Sequence, residues 1–81
     1  MTASVFTKKY QKFRELLVLS RKQEGLTQIE LANRLKKPQS FVSKYENGER
    51  RLDVIEFIEI ADSLQLEPCQ FIRTLLKESE S

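Results

Sequence analysis

The stretch Gly25-Leu26-Thr27-Gln28-Ile29-Glu30-Leu31-Ala32-Asn33-Arg34-Leu35-Lys36-Lys37-Pro38-Gln39-Ser40-Phe41-Val42-Ser43-Lys44-Tyr45-Glu46-Asn47-Gly48 decides the fold. Gly25 suits a left-handed position closing a preceding helix, where only Gly escapes the Cβ penalty. Thr27 with Glu30 three residues on forms a capping box, which opens a helix over Gln28–Leu35. Ile29, Leu31, Ala32 and Leu35 lie along it, and the last three share one face. Lys36-Lys37 closes it. Pro38 then starts a third helix, about Gln39–Glu46, because its missing N–H would be unpaired there anyway. Val42 and Tyr45 point inward, leaving Gln39, Ser40, Ser43 and Lys44 outside. Asn47-Gly48 ends that helix, both residues tolerating positive φ.

The same reading extends in both directions. From Thr7 to about Gln23, Tyr10, Phe13, Leu17 and Ser20 follow one helical face, widened by Leu16 and Leu19. On the other side Asp53 opens a fourth helix through about Leu64, with Val54, Phe57, Ile58, Ala61 and Leu64 at helical spacing. Pro68 starts a fifth carrying Phe71, Ile72, Leu75 and Leu76. With two Gly, two Pro and no alternating β-branched run, the chain reads as all-α. The expectation is a compact bundle of five short helices over residues 7–77, with the helix pair at about 27–47. Residues 1–6 are expected to form a flexible arm, and 78–81 a loose tail.

Composition removes several classes of function. Eighty-one residues make one domain, and one core of this size is marginal enough for oligomerisation to help. There is no His and a single Cys, Cys69, so neither a zinc site nor a disulfide framework is expected. Cys69 reads as a small residue at a helix start. No phosphate-binding glycine loop, dinucleotide turn or nucleophile elbow occurs, which argues against an enzyme or a cofactor. Nothing approaches the length of a membrane span, and Met1–Tyr10 lacks a signal-peptide core, so a cytoplasmic protein is expected. Asp53, Glu56, Glu59 and Asp62 read as solvated helix surface.

Charge is uneven along the chain. The net charge is +2, but residues 1–20 carry +3, residues 21–51 carry +4 and residues 52–81 carry −5. One end of the domain therefore suits a polyanion and the other does not. Lys8, Lys9 and Lys12 read as a solvated face. The outer row Gln39, Ser40, Ser43 and Lys44 has no large apolar group and can hydrogen-bond to base edges or phosphates. Arg34, Lys36, Lys37, Arg50 and Arg51 surround it. A polar row flanked by cations matches groove binding, where phosphate contacts position and base contacts discriminate.

Gly25 to Ala32 and Ser40 to Arg50, followed by Leu52–Leu64 with its Ile60-Ala61 pair, resemble the lambda-repressor/Cro family, the XRE-type helix-turn-helix. The resemblance covers about residues 10–76. It implies a regulator of transcription that binds double-stranded DNA, with Gln28 anchoring a phosphate and bracing a side chain of the reading helix. By the same resemblance Gln39, Ser40 and Lys44 face bases with Ser43 beside them, and Asn47 and Arg50-Arg51 lie along the sugar-phosphate backbone. Arg21 and Glu46 match a buried ion pair between the first and third helices. Lys36 stands where the family often has Gly. A Cβ in a left-handed conformation costs about 1 kcal/mol or more, so this turn is expected to be rebuilt. Phe41 is expected to pack back onto the second helix, the alternative being a thymine methyl. Phe71, Ile72, Leu75 and Leu76 are candidates for a homodimer contact. The expected function is repression from a pseudo-palindromic operator. An antitoxin-like protein, whose acidic C-terminal half binds a protein partner, is the rival reading.

Overall fold

The computed structural model describes residues 7–78. Five helices follow in order: α1 (Lys8–Gln23), α2 (Gln28–Leu35), α3 (Gln39–Glu46), α4 (Val54–Ser63) and α5 (Pro68–Glu78). Among the described residues there is no strand. The expected arm, residues 1–6, and residues 79–81 of the expected tail lie outside the described residues. Glu78 does not belong to a tail: it completes α5 and its carboxylate stands 3.2 Å from Lys12 Nζ.

Local chemistry sets the boundaries. Thr7 caps α1, its hydroxyl accepting from the Tyr10 N–H at 3.1 Å. Gly25 takes φ +75 behind α1. The Thr27–Glu30 capping box is closed on both sides, at 3.1 and 2.8 Å. A second box opens α4, with Asp53 accepting from the Glu56 N–H at 2.7 Å and Glu56 accepting from the Asp53 N–H at 3.0 Å. Each box satisfies donors that a helix start leaves orphaned.

Three expectations about the turns are corrected. Lys36 keeps the left-handed conformation at φ 58, so the family turn is retained with a Cβ in it and is not rebuilt. Pro38 is the N-cap of α3 and not its first helical residue: at ψ 154 it is extended, and its carbonyl accepts from the Phe41 N–H. Asn47 remains right-handed at φ −83, and Gly48 alone turns the chain, at φ +81.

The core is one continuous cluster. Leu31, Ala32, Val42 and Tyr45 pack the α2–α3 pair onto Leu17 of α1, Ile60 and Ala61 of α4 and Leu64 just after it. Phe13, Phe57 and Phe71 form an aromatic triangle with centroids 5.2 to 5.9 Å apart, tying α1, α4 and α5 together. In α4 the buried stripe differs from the expected one. Its inward stripe is Phe57, Ile60, Ala61 and Leu64, while Val54 (66% exposed) and Ile58 (45%) face outward. Apolar residues surround the start of this helix, so periodicity alone allows either stripe.

Candidate nucleic-acid interface

α2 and α3 are eight residues each, and the turn at Lys36–Pro38 lets α3 bury one face while exposing the other. Val42 and Tyr45 are fully buried; Gln39, Ser40 and Lys44 are exposed and Ser43 is half-buried. The Ser43 hydroxyl donates to the Ser40 carbonyl at 3.3 Å, so the row is ordered along its own helix.

A chain of hydrogen bonds connects this row to the core. Arg21 donates from Nε to Glu46 Oε2 at 2.7 Å and from Nη2 to Oε1 at 3.1 Å. Its Nη1 donates to the Leu26 carbonyl at 2.7 Å. Gln28 Nε2 donates to the same Glu46 Oε1 at 2.9 Å, and its own amide oxygen accepts from Gln39 Nε2 at 3.4 Å. Arg21 and Glu46 are both buried, as expected for the ion pair. The Glu46 hydrogen bonds hold the Arg21 guanidinium above its ordinary pKa, against the opposing effect of burial. Gln28 thus braces Gln39 from a fixed carboxylate.

Sequence reasoning missed Arg14. From α1 its Nη1 donates to the Glu46 carbonyl at 2.7 Å, supplying a cation and a donor to the C-terminal end of α3. No local pattern announces a contact between residues so far apart in the chain.

The surrounding cations divide into groups. Arg34 donates to the Ser63 carbonyl at 2.9 Å and shares a depression with Glu59 and Asp62, so it serves the seam between α2 and α4 and does not join the α3 row. Lys36 and Asn47 are exposed beside the row. Lys37 Nζ and the Arg50 guanidinium lie 5.2 and 4.9 Å from the Phe41 ring centre. Phe41 packs edge-on to Tyr45 of its own helix, at 5.6 Å, and against the core cluster that includes Leu31 and Ala32 of α2. Arg50 forms a two-bond fork to Glu56 at 3.0 and 2.8 Å. Glu56 is therefore no solvated carboxylate: Arg50, then the Asp53 N–H, hold its pKa below the ordinary carboxylate value. Arg51 is placed differently, its guanidinium 4.4 Å above the Tyr10 ring.

The dimer candidates also separate. Phe71 and Leu75 are 7% and 8% exposed and belong to this chain's own interior; Ile72 (38%) and Leu76 (46%) remain at the surface. Cys69 is an exposed free thiol near the start of α5. Among the described residues no cluster of three or more His, Cys, Asp or Glu could hold a metal ion. No described helix is long and apolar enough to cross a membrane.

The helix-turn-helix family model matches residues 19–71. No curated protein matches the chain. A solved structure described as an XRE-family like protein from Pseudomonas syringae pv. tomato str. DC3000 is 47% identical, with TM-score 0.83, covering 86% of this chain and 85% of that one. The wild-type restriction-modification controller protein C.Esp1396I is 23% identical, with TM-score 0.83 over 93% of this chain and 99% of that one. The tetramer of that controller, solved with its natural 35 base-pair operator, gives TM-score 0.82 at the same identity and coverage. The similarity to the controller is one of fold.

Proposed function

This chain belongs to the XRE-type helix-turn-helix family of DNA-binding, non-enzymatic transcription regulators, and on that premise we propose that it acts as a homodimeric repressor in the cytoplasm. The two copies would read a pseudo-palindromic operator with their α3 helices, about 34 Å apart, one turn of DNA. The observation that carries this reading is the braced row. Gln39, Ser40, Ser43 and Lys44 lie on one exposed face, and Gln39 is tied through Gln28 to the buried Arg21–Glu46 pair. A row held by its scaffold loses less side-chain freedom on meeting base edges. Lys36, Lys37 and Asn47 beside it supply phosphate contacts. The excess of acids in residues 52–81 and of bases before them favours the N-terminal part of the domain toward the duplex.

Dimerisation is supported by the apolar surface between α4 and α5. Two depressions of about 380 and 390 Å³ share Val54, Phe57 and Ile72, and Ile58 lines the second. A single domain measures 34 × 25 × 20 Å, so two copies in contact can set their reading helices one DNA turn apart. The operator complex of the controller of like fold is a tetramer, which favours an oligomeric arrangement here as well. Occupation of an operator by such a dimer would exclude polymerase.

Selection from random duplex DNA, with salt titrated, tests the proposal. Enrichment of a two-fold symmetric site is expected, with affinity falling as salt rises through counterion release. Placed over a promoter, that site should confer repression in a transcription assay. Gln39→Ala with Lys44→Ala should abolish preference for the site while melting is unchanged. A flat selection, or preference surviving that double change, overturns the assignment.

A further inference from the structure

One face of α1 stands outside the bundle. Leu17 and Arg21 turn inward and are buried, while Glu15, Leu19 and Lys22 are exposed and Val18 is half-buried. Glu15, Val18, Leu19 and Lys22 are spaced i, i+3, i+4 and i+7, so they stand together on one side of the helix. They line a shallow depression of about 280 Å³ with Arg14 and Glu46. Arg14 and Glu46 are already committed. Arg14 donates to the Glu46 carbonyl at 2.7 Å, and the Glu46 carboxylate accepts from Arg21 and Gln28. Glu15 and Lys22, at the two ends of the face, differ: among the described residues neither has an ion-pair partner. Two turns separate them, about 10 Å along the axis, with Leu19 between. Lys12 on the same helix does find a carboxylate, Glu78 at 3.2 Å.

We infer that this face of α1 is a second contact between copies of the chain, in which two α1 helices pack antiparallel about a two-fold axis at Val18 and Leu19. The pattern is self-complementary. Such an axis sets Glu15 of each copy opposite Lys22 of the other, and Val18 of each opposite Leu19 of the other. One symmetric operation therefore closes two ion pairs around an apolar centre. A parallel arrangement would instead set Glu15 against Glu15 and Lys22 against Lys22. Leu19, 51% exposed in the single chain, is covered by the depression of the other copy. With two apolar side chains per copy, the contact falls short of the roughly 1,200–2,000 Å² that a stable interface buries, so it forms only at high local concentration. It uses no residue of the α4–α5 surface and does not rest on the DNA-binding reading. Acting together, the two contacts would join pairs of copies into an assembly of four.

The test is sedimentation of the full chain at low salt, over a concentration series reaching the millimolar range. It is run on the parent and on Ile72→Lys, which reads the α1 contact with and without pairing through α4–α5. Dilute Ile72→Lys should be a monomer, and at the top of the series it should pair. Glu15→Lys and Lys22→Glu, each alone, set like charges opposite one another twice and should weaken that association roughly 10-fold or more. The variant carrying both changes regains opposite charges and should associate as the parent does. An equimolar mixture of the two single variants should also associate, as mixed pairs, because each supplies the charge that the other lacks. Leu19→Ala should weaken the contact with no change of charge, and melting of every variant should match the parent. Single variants that associate like the parent overturn the proposal, as does a double variant or a mixture that fails to recover. An Ile72→Lys chain that stays monomeric throughout overturns it too. If Ile72→Lys leaves the dilute parent's assembly intact, the α4–α5 contact fails, and the charge exchange made in the parent still decides this one.

Discussion

Gly48 is constrained twice. Its φ of +81 lies where a side chain is strained, and an added Cβ would stand 3.0 Å from Arg14 Cζ. Gly25, at φ +75, has nothing within 4 Å of that position. Gly25→Ala should therefore cost only the conformational strain, about 1–2 kcal/mol. Gly48→Ala should cost more, because it also displaces the guanidinium that caps α3 through the Glu46 carbonyl. Urea denaturation of the two variants measures the difference, and an Arg14→Ala background should remove most of it. Lys36 is the converse case: at φ 58 it bears a strain that Lys36→Gly would relieve, gaining up to about 1 kcal/mol. The buried pair is the most sensitive point. Arg21→Met leaves the Glu46 carboxylate buried with only Gln28 as a side-chain donor, and should lower stability by about 3–5 kcal/mol in the same measurement.

At the scale of elements, α2 was legible because its signals are local: a capping box at its start, a narrow apolar face and Gly25 at a positive φ before it, whereas the left-handed Lys36 behind it carries no such signal. The Arg21–Glu46 pair and the Gln28 brace were legible only through the family resemblance, since nothing in the spacing brings those residues together. The orientation of α4 was not legible, because apolar residues surround its first turns and only the aromatic triangle selects the buried stripe. Nor was Glu56, which looks like any surface carboxylate until the fold returns Arg50 to it. Its role has a pH signature. Because its folded pKa is lowered, its contribution to stability is present above the ordinary carboxylate value, about 4.3, and is lost as pH falls through the lowered folded value. Glu56→Gln should accordingly destabilise at neutral pH and flatten the acid limb of a melting-temperature profile. An acid limb identical to the parent's would show that the fork to Arg50 contributes nothing in solution.

At the scale of the whole molecule, the question is how so small a core is supplemented and how one short helix is made selective. Eight residues of α3 offer too few base contacts for a regulator that must find its site among many, and pairing two copies on one duplex multiplies them. The proposed pairing would use the apolar surface where α4 meets α5: Phe71 and Leu75 belong to the interior, while Val54, Ile58 and Ile72 remain exposed. These two sets should respond oppositely to substitution. Ile58→Glu or Ile72→Lys places a charge at the surface of one copy and should leave the unfolding of the isolated domain nearly unchanged. In a two-fold contact the new like charges would meet, so sedimentation should report a monomer and operator affinity should fall by two orders of magnitude or more, on the order of 3 kcal/mol. Leu75→Ala removes interior packing instead and should cost about 2–5 kcal/mol of stability in any state of assembly. If Ile72→Lys sediments as the parent does and binds the operator equally well, the contact between copies lies elsewhere. The α4–α5 surface would then be left to a different protein.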